Sequence, residues 1–163
     1  MLRALANNKL RVLAGTLVIS AAGLAGITRD EGDVRKVYLD PVGIPTVCVG
    51  HTATVTREDV GKAYSAETCK ELLRQDTRQA VRSVQRSVKV PITQQQFDAL
   101  VSFTFNVGVA NSQSSTLLKQ INAGQCKTAG QQFLRWDKAR GQKLRGLTLR
   151  RQREAALWLE DCP

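Results

Sequence analysis

Apolar and polar positions along this chain change period several times, and each change marks an element. Residues 12–27 run without a charge, and Arg29, Asp30 and Glu31 end the run. Val37-Tyr38-Leu39 and Thr46-Val47-Cys48-Val49 are β-rich and flank Asp40-Pro41-Val42-Gly43-Ile44-Pro45, which is turn chemistry. Together they predict a small hairpin. From Ser65 the period becomes 3.6, with Cys69, Leu72, Leu73, Ala80, Val81, Val84 and Val88 on one stripe, predicting a long helix up to about Pro91. Thr93-Gln94-Gln95-Gln96 matches a capping box. It opens a helix carrying Phe97, Leu100, Val101 and Phe105, which Gly108 should stop. Residues 115–123 read as a short helix ended by Gly124, and residues 126–138 and 147–160 read as two more. The expected fold class is α+β and mostly helical: a hairpin lobe joined by a long helix to a helical lobe. A cleft between such lobes would suit an extended polymer. No heptad pattern, internal repeat or Pro/Ser-rich linker is visible.

The uncharged run has a second reading. Arg3, Lys9 and Arg11 precede it with no acid among them, and a basic flank before an apolar segment is an export signal. The run is shorter than the roughly 20 residues of a spanning helix. Gly15, Gly23, Gly26, Ala14, Ala21, Ala22, Ala25, Thr16 and Ser20 dilute it further. Three fates compete. Gly23-Leu24-Ala25 resembles a small-x-small cleavage site, a permanent anchor is disfavoured by the small residues, and an anchor that is later released fits best. The expected division is an N-terminal signal-anchor segment, residues 1–27, followed directly by a folded domain, residues 28–163.

Composition narrows the class. With 163 residues, 42% of them hydrophobic, the chain can build one real core, and 5% aromatics leave that core to Leu, Val, Ile and Ala. A net charge of +10 points to a polyanionic partner. No nucleic-acid signature accompanies it, and aromatics are not interleaved with the basic residues, so nucleic acid is not expected. The basic run Arg135, Lys138, Arg140, Lys143, Arg145, Arg150, Arg151 and Arg153 reads as a solvated face, part of which could attract anionic envelope polymers, with Trp136 as core rather than a sugar platform. Cys48, Cys69, Cys126 and Cys162 have no CxxC spacing, and one histidine gives a zinc site little support. An even count beyond the apolar segment reads as two disulfides in an oxidising compartment, against free buried thiols in a cytosolic protein. Of the three connectivities, Cys48–Cys69 with Cys126–Cys162 closes the shorter loops and is expected.

Candidate chemistry lies just after the apolar run. Glu31 and Asp40 stand nine residues apart, and Thr46 follows six further on. Two carboxylates and a hydroxyl are a toolkit for breaking a glycosidic bond. One acid protonates the leaving oxygen; the other carboxylate and the hydroxyl hold a water on the opposite face of the sugar. Each has a plainer reading: Glu31 as an exposed acid before the stop Gly32, Asp40 as a turn carboxylate before Pro41, Thr46 as a strand residue. His51 has no serine or cysteine motif to form a triad.

The order of motifs carries a resemblance. Glu31-Gly32, Asp40 and Thr46 precede Gly50-His51-Thr52 and then Cys69-Lys70-Glu71-Leu72-Leu73-Arg74-Gln75-Asp76. Next come Ser102-Phe103-Thr104-Phe105-Asn106-Val107-Gly108, Ser115-Thr116-Leu117-Leu118, Arg135-Trp136, Gly146-Leu147, Arg150-Arg151 and Glu154. Over about residues 28–163 the chain resembles the phage-type lysozymes (glycoside hydrolase family 24). More narrowly it is similar to the signal-arrest-release endolysins of phages that infect Gram-negative bacteria. The resemblance implies a lysozyme-like two-lobed fold and a muramidase that cuts the β-1,4 bond between N-acetylmuramic acid and N-acetylglucosamine in peptidoglycan. It implies Glu31 as general acid, with Asp40 and Thr46 sharing the attacking water. It also implies a structural pair between His51 and Asp76, and no metal or organic cofactor. Asn106, at the end of a helix before Val107-Gly108, has two readings: a sugar contact facing the cleft, or a plain helix-terminus amide. Some such relatives carry a cysteine in the membrane segment; residues 1–30 here have none, which closes activation by disulfide exchange. The expected partners are peptidoglycan and, through residues 12–27, the inner membrane on its periplasmic side before release to the periplasm. The chain is expected to act as a monomer. Membrane tethering would hold Glu31 at the lipid surface and keep the enzyme inactive. Two other classes stay open: an exported basic protein that damages membranes by charge, and a lytic transglycosylase, which would leave anhydro sugars.

Overall fold

The structure is a computed structural model and describes residues 9–163, so Arg3 of the basic flank lies outside the described residues. In chain order it begins with β1 (Val12–Leu13) and, after a 3-10 turn at Ala14–Thr16, α1 (Ala21–Glu31). A hairpin follows, β2 (Val34–Leu39) and β3 (Pro45–Cys48), and then the long helix α2 (Ala66–Ser87). Next come β4 (Pro91–Ile92), α3 (Gln94–Val107), α4 (Val109–Ser114), α5 (Thr116–Asn122) and α6 (Cys126–Gln132). A second hairpin, β5 (Lys138–Ala139) with β6 (Gln142–Lys143), leads into α7 (Arg145–Glu160). The fold is mostly helical with three small two-stranded antiparallel sheets among the described residues: β1 with β4, β2 with β3, and β5 with β6.

The chain forms two compact units. One comprises residues 21–79, and the other, among the described residues, 9–20 with 80–163. In the smaller unit Val37, Val47, Cys48, Val55 and Cys69 make the core, with Tyr64 and Leu72 against it. Residues 61–64 run along the second edge of β2, where Val37 N–H donates to Lys62 O at 3.0 Å and Tyr64 N–H to Arg35 O at 2.8 Å. The disulfide Cys48–Cys69 ties the end of β3 to α2. On the other side α1 presents Ala21 and Ala25 toward Ala66, Cys69 and Leu73 of α2, and such small side chains leave a groove of about 320 Å³.

The larger unit is built around α3, which is buried from Gln96 through Thr104. Its start follows the sequence: Thr93 Oγ1 accepts from Gln96 N–H at 3.2 Å and Gln96 Oε1 accepts from Thr93 N–H at 3.2 Å. Two orphan donors of the first turn are thereby satisfied. Phe103 meets Phe133 and Trp136 edge-on, with ring centroids 5.3 and 5.5 Å apart. Gly130 lets α6 close on α7, since a Cβ there would lie 2.5 Å from the Leu159 side chain. Cys126–Cys162 joins the start of α6 to the end of α7.

Two expectations about elements need correction, and one short helix was not foreseen. Residues 126–138 are not one helix: α6 stops at Gln132, a 3-10 turn covers Phe133–Arg135, and the chain then enters the β5–β6 hairpin. The pairing of Lys138 with Lys143 and Ala139 with Gln142 about Arg140-Gly141 takes the backbone bonds that a helix would have used. A short helix, α4, fills the interval between Gly108 and Ser115. The uncharged run 12–27 is also not one helix, because polar side chains of the larger unit satisfy its backbone in extended form. Gln85 Nε2 donates to Leu17 O at 2.7 Å, Gln94 Nε2 to Val18 O at 2.8 Å, and Ser20 N–H to Asp98 Oδ1 at 3.0 Å. Among the described residues no helix is long and apolar enough to cross a membrane.

Two predictions follow from these ties. The Cys126–Cys162 bridge spans 36 residues in sequence. Replacing both by serine should cost roughly 3–4 kcal/mol by the loop-entropy relation, read as a lower urea midpoint. The second concerns pH. Lys9 Nζ lies 3.0 Å from Glu160 and 2.8 Å from Asp161. Its hydrogen bond holds the Glu160 carboxyl below the ordinary 4.5. A depressed carboxyl contributes stability above its unfolded value and loses it as pH falls through the folded one. Lys9→Gln should therefore melt earlier than the parent at pH 7, and thermal scans should show the gap closing as pH drops below 4.5.

Candidate active site

Glu31, Asp40 and Thr46 all belong to the smaller unit, and local backbone chemistry places each one. Glu31 is the last residue of α1. Gly32, with φ 84°, takes the left-handed conformation that ends the helix, and its N–H donates to Thr28 O at 2.8 Å. The chain then turns directly into β2. That strand is irregular: Val34 faces Cys48 and Tyr38 faces Thr46, so four residues of β2 are spent against two of β3. Such a bulge bends the strand and draws its two ends, and so Glu31 and Asp40, closer than a straight strand would.

Asp40 closes the turn at the tip. Its Oδ1 accepts from Val42 N–H at 2.9 Å and Ile44 N–H at 2.8 Å. Its backbone pairs with Gly43 and Ile44, and Arg57 Nη2 braces the tip by donating to Gly43 O at 3.0 Å. The Asp40 carboxylate is thus fixed through one oxygen, and Oδ2 has no protein partner among the described residues. Thr46 is buried, at 5% exposure. Its hydroxyl donates to Ile44 O at 3.0 Å, so its oxygen lone pairs can only accept.

A half-buried Glu31 would suit a general acid, but the structure shows it exposed. It is the last residue of its helix and is followed by glycine, which has no side chain to pack against it. His51 is buried and stands between two partners, with Nδ1 2.9 Å from Asp76 Oδ2 and Nε2 2.8 Å from Thr54 Oγ1. This contact joins the loop after β3 to α2. Asp33, Cys48 and Cys69 gather ligand-type atoms within 4.8 Å of one another, but both sulfurs are committed to the disulfide and offer no thiolate.

Asn106 lies in the larger unit near the end of α3, where its Oδ1 accepts from Arg151 Nη2 at 3.0 Å. That bond belongs to a buried network which the sequence reading missed. Arg150 and Arg151 are not part of a solvated face; they are 3% and 0% exposed. Glu154, itself buried, takes Ser102 Oγ at 2.7 Å, Arg150 Nε at 3.2 Å and Arg151 Nη2 at 3.1 Å. Burial pushes the Glu154 carboxyl above its ordinary range, opposed by the two guanidiniums and Ser102. The signal available was the spacing, since a glutamate three and four residues after two arginines shares their helix face.

A model of the phage lysozyme family matches residues 28–154. An endolysin of Salmonella phage P22 is 41% identical over 143 residues, covering 86% of this chain and 97% of that protein. A SAR-endolysin of Bacteriophage PS119 is 39% identical over 150 residues, covering 90% of this chain and 86% of that one. A crystal structure of a P22 lysozyme mutant superposes with a TM-score of 0.81 at 37% identity, covering 88% of this chain and 99% of that one. With the motifs in order along both halves of the sequence and the same architecture in space, the chain belongs to the phage lysozyme family and is an endolysin, a muramidase-type glycoside hydrolase acting on peptidoglycan.

Proposed function

We propose that this endolysin hydrolyses the β-1,4 bond after N-acetylmuramic acid by single displacement with inversion. Glu31 protonates the leaving oxygen, and Asp40 and Thr46 hold the water. The observation that carries the assignment is the pattern of used and unused oxygens on the hairpin. Asp40 spends Oδ1 on its own turn and Thr46 spends its proton on Ile44 O. A water between them gives one hydrogen to Asp40 Oδ2 and the other to Thr46 Oγ1. Its lone pair is then left for the anomeric carbon, which is what an inverting displacement requires. Since Glu31 is exposed, its shelter from water comes from the glycan as it binds. Asn106 keeps its amide nitrogen for a sugar hydroxyl, its oxygen being held by Arg151.

Control lies in the residues before Glu31. Ala14, Leu24 and Ile27 are 1%, 3% and 0% exposed in the folded chain, and the same residues belong to the uncharged run that a bilayer would accept. Lipid and protein interior compete for one segment, so the tethered chain and the folded enzyme are alternative states. The name SAR-endolysin carried by relatives at about 39% identity supports this order of events. The chain is held at the inner membrane facing the periplasm, is released intact, and acts there as a monomer. Residues 1–27 are the signal-anchor, and residues 28–163 hold the catalytic machinery.

Glu31→Gln should lower lysis of purified walls by about 10²–10⁴-fold, the yield of general acid–base catalysis. Thr46→Val should lower kcat while Thr46→Ser preserves it. Mass spectrometry should find hydrated reducing ends, and NMR of fresh product should show the α-anomer. Anhydro ends would make the chain a transglycosylase, and full lysis by Glu31→Gln would point to charge-driven membrane damage. For the control, dissipating the membrane potential should move protein of unchanged mass from the membrane fraction to the soluble one. A smaller soluble species would mean a cleaved signal peptide.

A further inference from the structure

The β5–β6 hairpin breaks two local rules at once. Lys138 and Lys143 are directly opposite each other in the strand register, and like charges in that position repel. Arg140 has φ 49° and Gly141 φ 78°, as a tight two-residue hairpin turn demands, but the first of these positions favours glycine, asparagine or aspartate. A solvated loop chosen for stability would carry neither feature. Around the hairpin Arg135, Lys138, Arg140, Lys143 and Arg145 are all exposed, and the one acid in the stretch, Asp137, is taken by Lys143 at 3.0 Å. Lys138, Arg140 and Arg145 have no side-chain partner among the described residues. Local departures from the folding rules collect at functional sites. Here the departures all concentrate positive charge on a short turn.

We propose that this hairpin is a docking surface for the carboxylates of the peptide stems of peptidoglycan. The proposal rests on the muramidase reading, which supplies the partner: a polymer whose sugars are neutral and whose anionic groups are the carboxylates of its stems. Lys138 and Arg140 present paired, unneutralised donors, and Arg135 and Arg145 flank them. Such a patch raises the local concentration of an anionic polymer and holds the enzyme on the wall between cuts.

The test is binding, so it is carried out in the Glu31→Gln chain, which leaves the wall undigested. Parent and Lys138→Gln/Arg140→Asn chains are pelleted with purified Gram-negative sacculi, either native or with their carboxylates amidated. The variant should bind native sacculi roughly fivefold more weakly, in line with the loss of two exposed ion pairs. Amidation should weaken the parent at least as much and the variant no further. Lys70→Gln/Arg78→Gln removes the same charge from exposed positions on α2 and should change binding less than twofold. The hairpin variant should melt no earlier than the parent, because it relieves both unfavourable features.

An equal loss in the α2 control would reduce the effect to net charge and overturn the proposal. So would unchanged binding by the hairpin variant, or parent binding indifferent to amidation. Loss of binding to phosphatidylglycerol vesicles with sacculus binding kept would identify membrane phosphate as the partner instead. Failure of the muramidase reading would show separately, as lysis that survives Glu31→Gln.

Discussion

A two-stranded hairpin with one inward residue on its longer strand does not hold its own shape in water. Only Val37 of β2 is buried, yet Asp40 and Thr46 depend on that strand and its partner for their positions. What keeps the hairpin in place is its attachment to α2 at two points. The Cys48–Cys69 bridge is covalent, and His51 meets Asp76 seven residues further along the same helix. Seven residues are close to two helical turns, about 10 Å of axis. A strand end fixed at two points on a rigid rod can neither slide nor swivel, and the tip inherits that order through Arg57 and the Asp40 turn.

Much of this was legible in the sequence, because the signals were local. The turn chemistry of residues 40–45, the Thr93 capping box and the glycine stops at Gly32 and Gly108 all specify backbone conformation within a few residues. The α2 stripe was long enough for its period to be unambiguous. What stayed hidden depended on partners far away in sequence. Residues 12–27 read as continuous because nothing within them says that Gln85, Gln94 and Asp98 will satisfy their backbone. The β5–β6 hairpin was hidden by its own charges, since neither strand carries a β-branched residue.

At the site, the identities of the three residues came from spacing and resemblance, but the structure adds what each oxygen is doing. The Asp40 carboxylate is both a turn residue and a free acceptor, so its plain structural reading and its chemical one are compatible. The basic run divides in the same way. Two of its arginines are interior, sharing Glu154 with Ser102 while Arg151 also donates to Asn106, and those around the second hairpin face water. A count of charges along the chain cannot separate a cation that organises the interior from one that meets a partner; burial does.

Residues 9–20 belong to one compact unit, and the helix that follows them belongs to the other. Each unit is therefore incomplete without its part of residues 9–31: β1 pairs with β4 almost eighty residues later, and α1 ends in Glu31 just before the hairpin. Closing a loop of that length costs entropy before any contact repays it. Partial arrival gains little, since strand pairing without the helix leaves Glu31 unplaced, and the helix alone leaves β4 unpaired. Within each unit, order should therefore emerge abruptly, as a cooperative event, instead of accumulating contact by contact.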